Sequence, residues 1–116
     1  MSQAKSILLF LFITHLSIAQ EFITTWNISS NTTSIGFEAT TTGTVSYTWE
    51  TLPPAAAASG SGTFQGPDVT ISGLPTSNQD QSILLKIQPQ NFKRFITGNT
   101  GSPTYLLKDI NQWGDV

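Results

Sequence analysis

Apolar and polar residues alternate along much of the chain after residue 20. The clearest case is residues 45–50, where Val45, Tyr47 and Trp49 fall on one side and Ser46, Thr48 and Glu50 on the other. A period of two residues is typical of a β-strand with one buried face. Similar patterns predict strands near Phe22–Trp26, Ile35–Phe37, Thr63–Phe64, Val69–Ile71, Ser82–Ile87, Phe92–Ile96 and Tyr105–Leu107.

Turn-forming residues separate these runs, as in Gly66-Pro67-Asp68 and Gly73-Leu74-Pro75. Glycine tolerates positive φ and proline fixes φ, so both favour turns. About seven short strands divided by turns predict an all-β, immunoglobulin-like antiparallel β-sandwich over residues 20–103. The expected core comprises Trp26, Ile35, Phe37, Val45, Tyr47, Trp49, Val69, Ile71, Leu84, Ile87 and Phe95.

Residues 51–62 form a low-complexity stretch. Four alanines stand between a Pro53-Pro54 pair and two glycines, Gly60 and Gly62. Proline disfavours a continuing helix, and glycine with serine gives a flexible chain. This stretch is therefore predicted to be a long flexible hairpin loop.

Residues 1–19 have the pattern of a helical signal peptide. Lys5 supplies the positive start, Ile7–Ile13 is apolar, and the small residues Ser17 and Ala19 mark a cleavage site. The apolar run is too short for a membrane span, which needs about 20 residues. The expected location is secreted or cell surface, with no membrane span after cleavage.

Composition excludes several classes of function. The chain has no Cys, and cleavage would remove its single histidine, His15. Without His or Cys, a Ser-His-Asp or Cys-His nucleophile cannot form. An ordinary zinc site is excluded for the same reason. Only 10% of residues are charged, at a net charge of −2, which excludes a basic nucleic-acid-binding face. No catalytic, cofactor-binding or metal-ligating residue is predicted.

Aromatic side chains offer two candidate contact sites. Tyr47 and Trp49 could form a platform that stacks on sugars, although their shared face with Val45 favours core packing. Trp113 follows the polar pair Asn111-Gln112 and is either a cap for a following region or an exposed contact.

Charged and amide residues give weaker candidates. Glu38 and Glu50 could be a glycosidase pair, but nothing beside them indicates a cleft. Lys86, Lys93 and Arg94 are a weak phosphate footprint and better explained as solvated. Asn27 and Asn31 begin glycosylation-type triplets, which are frequent by chance in a Ser/Thr-rich chain. Four aspartates lack the close spacing of a calcium loop and are expected in solvated turns: Asp68, Asp80, Asp109 and Asp115.

Two segments resemble landmarks of a known family. Phe22-Ile23-Thr24-Thr25-Trp26 and Ile110-Asn111-Gln112-Trp113-Gly114-Asp115-Val116 are similar to the start and end of the N-terminal module of BspA-type leucine-rich-repeat surface proteins of Bacteroidota. Ile83–Ile87 stands where that module has a strand, and Phe92–Phe95 stands near a short segment of it. The resemblance implies a sandwich akin to the polycystic-kidney-disease (PKD) repeat, with residues 104–116 leading into a C-terminal repeat region.

These observations predict a non-enzymatic, exported surface-protein module with a role in adhesion or interaction. By the resemblance it is the N-terminal fragment of a longer leucine-rich-repeat protein, with Trp113 and Leu106-Leu107 as the contact to the repeats. The alternative is a small secreted carbohydrate-binding β-sandwich, and an enzyme fragment is least favoured. The expected partner is an extracellular protein or glycan.

Overall fold

The structure, a computed structural model, describes residues 20–96 and 107–114. These residues form eight strands in two antiparallel sheets, which confirms the predicted all-β sandwich class. None of the described residues is helical, so none lies in a helix able to span a membrane. The strands are β1 (Phe22–Ile28), β2 (Ile35–Thr41), β3 (Val45–Thr51), β4 (Ser59–Phe64), β5 (Asp68–Ile71), β6 (Gln81–Ile87), β7 (Phe92–Ile96) and β8 (Leu107–Gln112).

The larger sheet has five strands in the order β4-β3-β6-β1-β8, and the smaller has three in the order β5-β2-β7. Strands β2 to β6 pair as strands B, C, C′, E and F do in immunoglobulin domains: β2 with β5, and β3 with β4 and β6. The outer strands differ, because β1 takes the place of strand G beside β6 and β7 takes the place of strand A beside β2. The chain is therefore immunoglobulin-like in its central pairing and differs in the strands that flank it, β1 and β7.

The core lies between the two sheets and is rich in aromatic rings. Phe22, Trp26 and Ile28 of β1 are fully buried, because alternate residues of a strand point to the same face. Trp26 donates its indole N–H to the Thr24 hydroxyl at 2.7 Å, so its buried polar atom has a partner. Phe37 links the sheets by packing against both Trp26 and Phe64. This packing fixes which face of every strand is external.

Most of the predicted core is confirmed, with one error. Leu84 is half-buried, whereas its neighbours Ile83 and Leu85 are fully buried. Three consecutive aliphatic residues carry no alternation, so the local sequence cannot tell which of them faces inward. The pairing of Trp26 with Ile83 and of Trp49 with Leu85 decides it. Tyr47 and Phe95 pack against the core but are only partly buried.

The prediction of a long loop over residues 51–62 is wrong at its first residue, which ends β3, and at its last four. Ser59–Phe64 is strand β4, paired with β3 along six consecutive residues. The connection is kept short by Thr51, whose backbone N–H donates to the Ala58 carbonyl at 2.9 Å and whose hydroxyl donates to the Ala56 carbonyl at 2.8 Å. These bonds fold the alanine run back onto the sheet, so the hairpin closes before the glycines.

Part of the predicted lead-in is a strand of the sandwich. Leu107–Gln112 forms β8, which pairs antiparallel with β1 at the edge of the five-stranded sheet. The last predicted strand began at Tyr105, but Tyr105 and Leu106 lie outside the described residues, as does the predicted signal peptide of residues 1–19. Residues 107–112 therefore belong to the sheet rather than to a tail beyond it.

Candidate functional site

Trp113 is the large hydrophobic side chain that the described part of the chain leaves exposed, at 60% of its surface. It follows β8 directly, at the end of the sandwich where β1 begins. Its ring centroid lies 5.9 Å from that of the fully buried Phe22. One side of the indole therefore packs against the core, and the rest of its surface is exposed to solvent.

The backbone around Trp113 is held in place by its neighbours. Gln112 donates its side-chain amide to the Glu21 carbonyl at 2.8 Å. Gly114 has φ +66°, and a Cβ there would lie 2.8 Å from the Gln20 and Glu21 carbonyl oxygens, so only glycine fits this close approach. The backbone at Trp113 is therefore held on both sides, which reduces the conformational entropy that a contact through this residue would cost.

The structure separates Trp113 from Leu107, the other described residue of the predicted repeat contact. Leu107 lies opposite Trp26 at the far end of β8 and packs against the core with Ile110. Six residues of strand separate the two side chains by roughly 20 Å. Leu106 lies outside the described residues. Trp113 alone remains as a described candidate for this contact.

Tyr47 and Trp49 do not form an exposed platform. Both lie on the inner face of β3, where Trp49 is 9% exposed and Tyr47 packs against Phe64. Each ring covers a glycine of β4: a Cβ at Gly60 would lie 2.6 Å from the Trp49 indole nitrogen, and one at Gly62 would meet the Tyr47 hydroxyl. Their positions fit the interpretation that the sequence favoured, in which both are core residues.

The outer surface of the five-stranded sheet carries an open trough of about 390 Å³ above β4, β3 and β6. The small side chains of β4 make the trough shallow on that side, and the longer side chains of β3 and β6 border it elsewhere. Lys86 and Glu50 approach each other to 3.8 Å, and both are substantially exposed. The residues that line the trough are Thr48, Trp49, Glu50, Ser59, Gly60, Ser61, Leu84 and Lys86.

The acidic candidates are not brought together. Glu50 lies on the outer face of the five-stranded sheet, in the trough. Glu38 lies between the buried Phe37 and Ala39 of β2, so it points outward from the other sheet. The two carboxylates stand on opposite sides of the sandwich and share no cleft, whereas a glycosidase pair must flank one bond.

The other charged and amide candidates are also dispersed. Lys86 is on β6, whereas Lys93 and Arg94 are exposed on β7 in the other sheet. Asp80 accepts the Ser30 backbone N–H at 3.2 Å, Asp68 begins β5 and Asp109 is exposed on β8. Asn27 accepts the Ser82 hydroxyl at 2.8 Å, and Asn31 occupies a turn with φ 68°. Asp115 lies outside the described residues.

Sequence reasoning missed the trough because it placed Ser59–Gly62 in a loop. The alternation of serine and glycine in Ser59-Gly60-Ser61-Gly62 was the available signal, since period two indicates a strand even when the residues are small. Comparison of the chain with protein-family models, curated proteins and solved structures found no match in any of the three. Function is therefore inferred from the residues themselves.

Proposed function

We propose that this chain is a non-enzymatic β-sandwich module of an exported surface protein, with a role in adhesion or interaction, and that Trp113 is its contact residue. The observation that carries the proposal is an aromatic side chain that packs against the buried Phe22 yet is 60% exposed. Tryptophan is enriched among residues that dominate binding energy, because it buries a large area at little entropic cost.

The chemistry of the described side chains supports a binding role over a catalytic one. The acidic groups are spread over both outer faces, and the basic groups are divided between two sheets. General acid-base and nucleophilic catalysis need such groups within hydrogen-bond reach of each other. The signal-peptide pattern of residues 1–19 supports export, and the resemblance of residues 110–116 supports a following repeat region as the partner of Trp113.

Collisional quenching by acrylamide tests the contact residue in the full chain. Trp26 is fully buried and Trp49 is 9% exposed, so Trp113 should supply nearly all quenchable emission. The variant Trp113→Phe should remove that fraction while the far-ultraviolet spectrum stays unchanged. Complete shielding of Trp113 in the isolated chain would contradict the proposal.

The native product tests the exported, repeat-linked part of the proposal. An antibody raised against this chain should detect, in producing cells, a band much larger than 12.5 kDa. Protease added to intact cells should remove that band. A band that resists protease until the cells are lysed would refute surface location. A secreted band near the size of the chain would refute the link to repeats.

A small secreted glycan-binding module is the second candidate, and the outer trough is the observation that favours it. Hydroxyls, a carboxylate and an ammonium group stand around an apolar Leu84 side chain there. Such a mixture can both hydrogen-bond sugar hydroxyls and cover an apolar sugar face. On a glycan array, binding by the full chain that is lost in Glu50→Gln but kept in Trp113→Phe would favour this candidate over the first.

A further inference from the structure

The four edge strands of the sandwich differ in how they are protected against pairing with another chain. An unprotected edge presents free backbone N–H and C=O groups to any extended segment. Strand β8 carries Lys108 and Asp109 and has two register shifts against β1. Strand β7 carries Lys93 and Arg94 and has one register shift against β2. Strand β5 is only four residues long and begins with Asp68.

Strand β4 has none of these protections. Its sequence, Ser59-Gly60-Ser61-Gly62-Thr63-Phe64, contains no charged residue and no proline. Its register against β3 is continuous over six pairs. The rings of Trp49 and Tyr47 fill the inner side of its glycines, so the strand is held against the sheet. Filling by aromatic rings of this kind stabilises edge glycines.

The hydrogen-bond pattern identifies which groups of β4 face outward. The Thr51 N–H bonds the Ala58 carbonyl, which makes Thr51–Ala58 a hydrogen-bonded pair. Hydrogen-bonded and non-hydrogen-bonded pairs alternate along an antiparallel ladder. Ser59, Ser61 and Thr63 therefore occupy non-hydrogen-bonded positions opposite Glu50, Thr48 and Ser46, and their backbone groups point away from β3.

The outward-pointing residues of β4 can pair with the same residues of a second β4 strand that runs antiparallel to the first. With Ser61 opposite Ser61 of a second copy, Ser59 faces Thr63 and Gly60 faces Gly62. Every outward-pointing backbone group then meets a partner, which gives six hydrogen bonds from three residue pairs. All hydroxyl side chains fall on one face, where Ser/Thr pairs across strands are favourable. A two-fold axis through Ser61 generates the arrangement, as in most homodimers.

The surrounding charges tolerate this pairing. The seam is the line where the two β4 strands meet. On the β3 strand next to it, Glu50 lies opposite Ser59, and on β3 of the second copy the residue opposite Thr63 is the uncharged Ser46. Thr48 stands behind Ser61 on both sides. No like charges meet across the seam, whereas the same operation on β7 would bring Lys93 and Arg94 close to their own copies.

We propose that β4 is an interaction surface for a second copy of this chain, joined by antiparallel β4–β4 pairing about Ser61. This goes beyond the proposed role of Trp113, because β4 and β8 lie at opposite edges of the same sheet. The join makes a continuous ten-stranded sheet and places the two outer troughs on either side of the seam.

Sedimentation equilibrium of the full chain, expressed from Met1 in an exporting host, tests the proposal. The chain should pass from monomer to dimer as its concentration rises from micromolar to millimolar. Ser61→Lys places two ammonium groups opposite each other at the axis and should weaken the dimer about tenfold or more. The control Thr70→Lys, on an exposed site of β5, should leave dimerisation unchanged.

A second variant and a residue-level measurement distinguish loss of the dimer from misfolding of Ser61→Lys. Ser61→Pro removes an N–H that points away from β3, so the fold keeps its β3–β4 bonds while the central bonds of the seam are lost. Amide exchange at Ser59, Ser61 and Thr63 should slow with increasing concentration in the native chain, whereas exchange at Ser59 and Thr63 should not slow in either variant. A chain that stays monomeric up to millimolar concentration, or a dimer that both Ser61 variants keep intact, overturns the proposal. Slowing of these amides only when another protein is added would assign the edge to that protein instead.

Discussion

The two edges of the five-stranded sheet expose different kinds of group. At β8, charged side chains and two register shifts interrupt the ladder, and the exposed feature is one indole beside Phe22. At β4, the ladder is continuous, the side chains are small, and the exposed feature is a row of backbone groups. One edge is suited to contact through a single side chain, the other to pairing along a strand.

One sheet can therefore keep the two proposed contacts, one through a side chain and one through a strand edge, at opposite edges. A side-chain contact is lost by changing one residue, whereas a backbone ladder tolerates side-chain changes that add neither charge nor proline. Four substitutions test whether the two edges differ in this way, and the first has the largest expected effect.

Replacing Phe22 by Ala should destabilise the fold most, because Phe22 is fully buried and its ring contacts Phe92, Phe95 and Trp113. The expected loss in the free energy of unfolding is about 3–5 kcal/mol. Urea denaturation followed by circular dichroism measures it. Trp113→Ala is the matched control and should cost less than about 1 kcal/mol, since that ring is mostly in solvent. Equal costs would contradict the difference in burial between Phe22 and Trp113 on which the comparison rests.

Replacing Gly60 by Ala should cost about 1–3 kcal/mol, because the new methyl group would lie 2.6 Å from the Trp49 indole nitrogen and force the ring to move. Ser61→Ala, one residue along on the outer face, should change stability by no more than about 0.5 kcal/mol. Thermal denaturation of both variants compares them. If Gly60→Ala is as stable as Ser61→Ala, the rings do not hold β4 in place.

Replacing Thr25 by Val should weaken the β8 edge specifically. The Thr25 hydroxyl donates to the Asn111 side-chain oxygen at 2.6 Å, across the irregular β1–β8 ladder. Its loss should cost about 0.5–1.5 kcal/mol and speed amide exchange in β8 but not in β4. Thr48→Val, at an exposed position of β3, serves as the control. Faster exchange at both edges would mean that they unfold as one unit.

Replacing Lys86 by Met should have the smallest effect. Lys86 and Glu50 are 3.8 Å apart with side-chain exposures of 37% and 50%, so water screens the pair. The expected loss is about 0–0.5 kcal/mol, and added salt should reduce it further. A double-mutant cycle with Glu50→Gln measures the pair directly. A coupling well above 1 kcal/mol would mean that the trough is less solvated than its geometry indicates.

Much of the fold follows from local pattern. The alternation in Val45–Glu50 and Phe22–Trp26 placed β3 and β1 correctly, because the face of each residue depends only on the strand's own geometry. The exposure of Trp113 is expected under both alternatives that the sequence left open, a cap for a following region and an exposed contact. Its fixed position was not predictable, since Gly114 and Gln112 meet the start of β1, far away along the chain.

Local alternation is enough to establish the strand-rich class and the inward face of each clearly alternating segment. Contacts between distant strands were needed to establish that Leu84 faces the trough while Leu85 is buried, that Ser59–Gly62 belongs to a strand, and that β4 and β8 are the sheet's edges. Alternation depends on one strand alone, whereas register and neighbour order depend on which distant strands bury their apolar faces together.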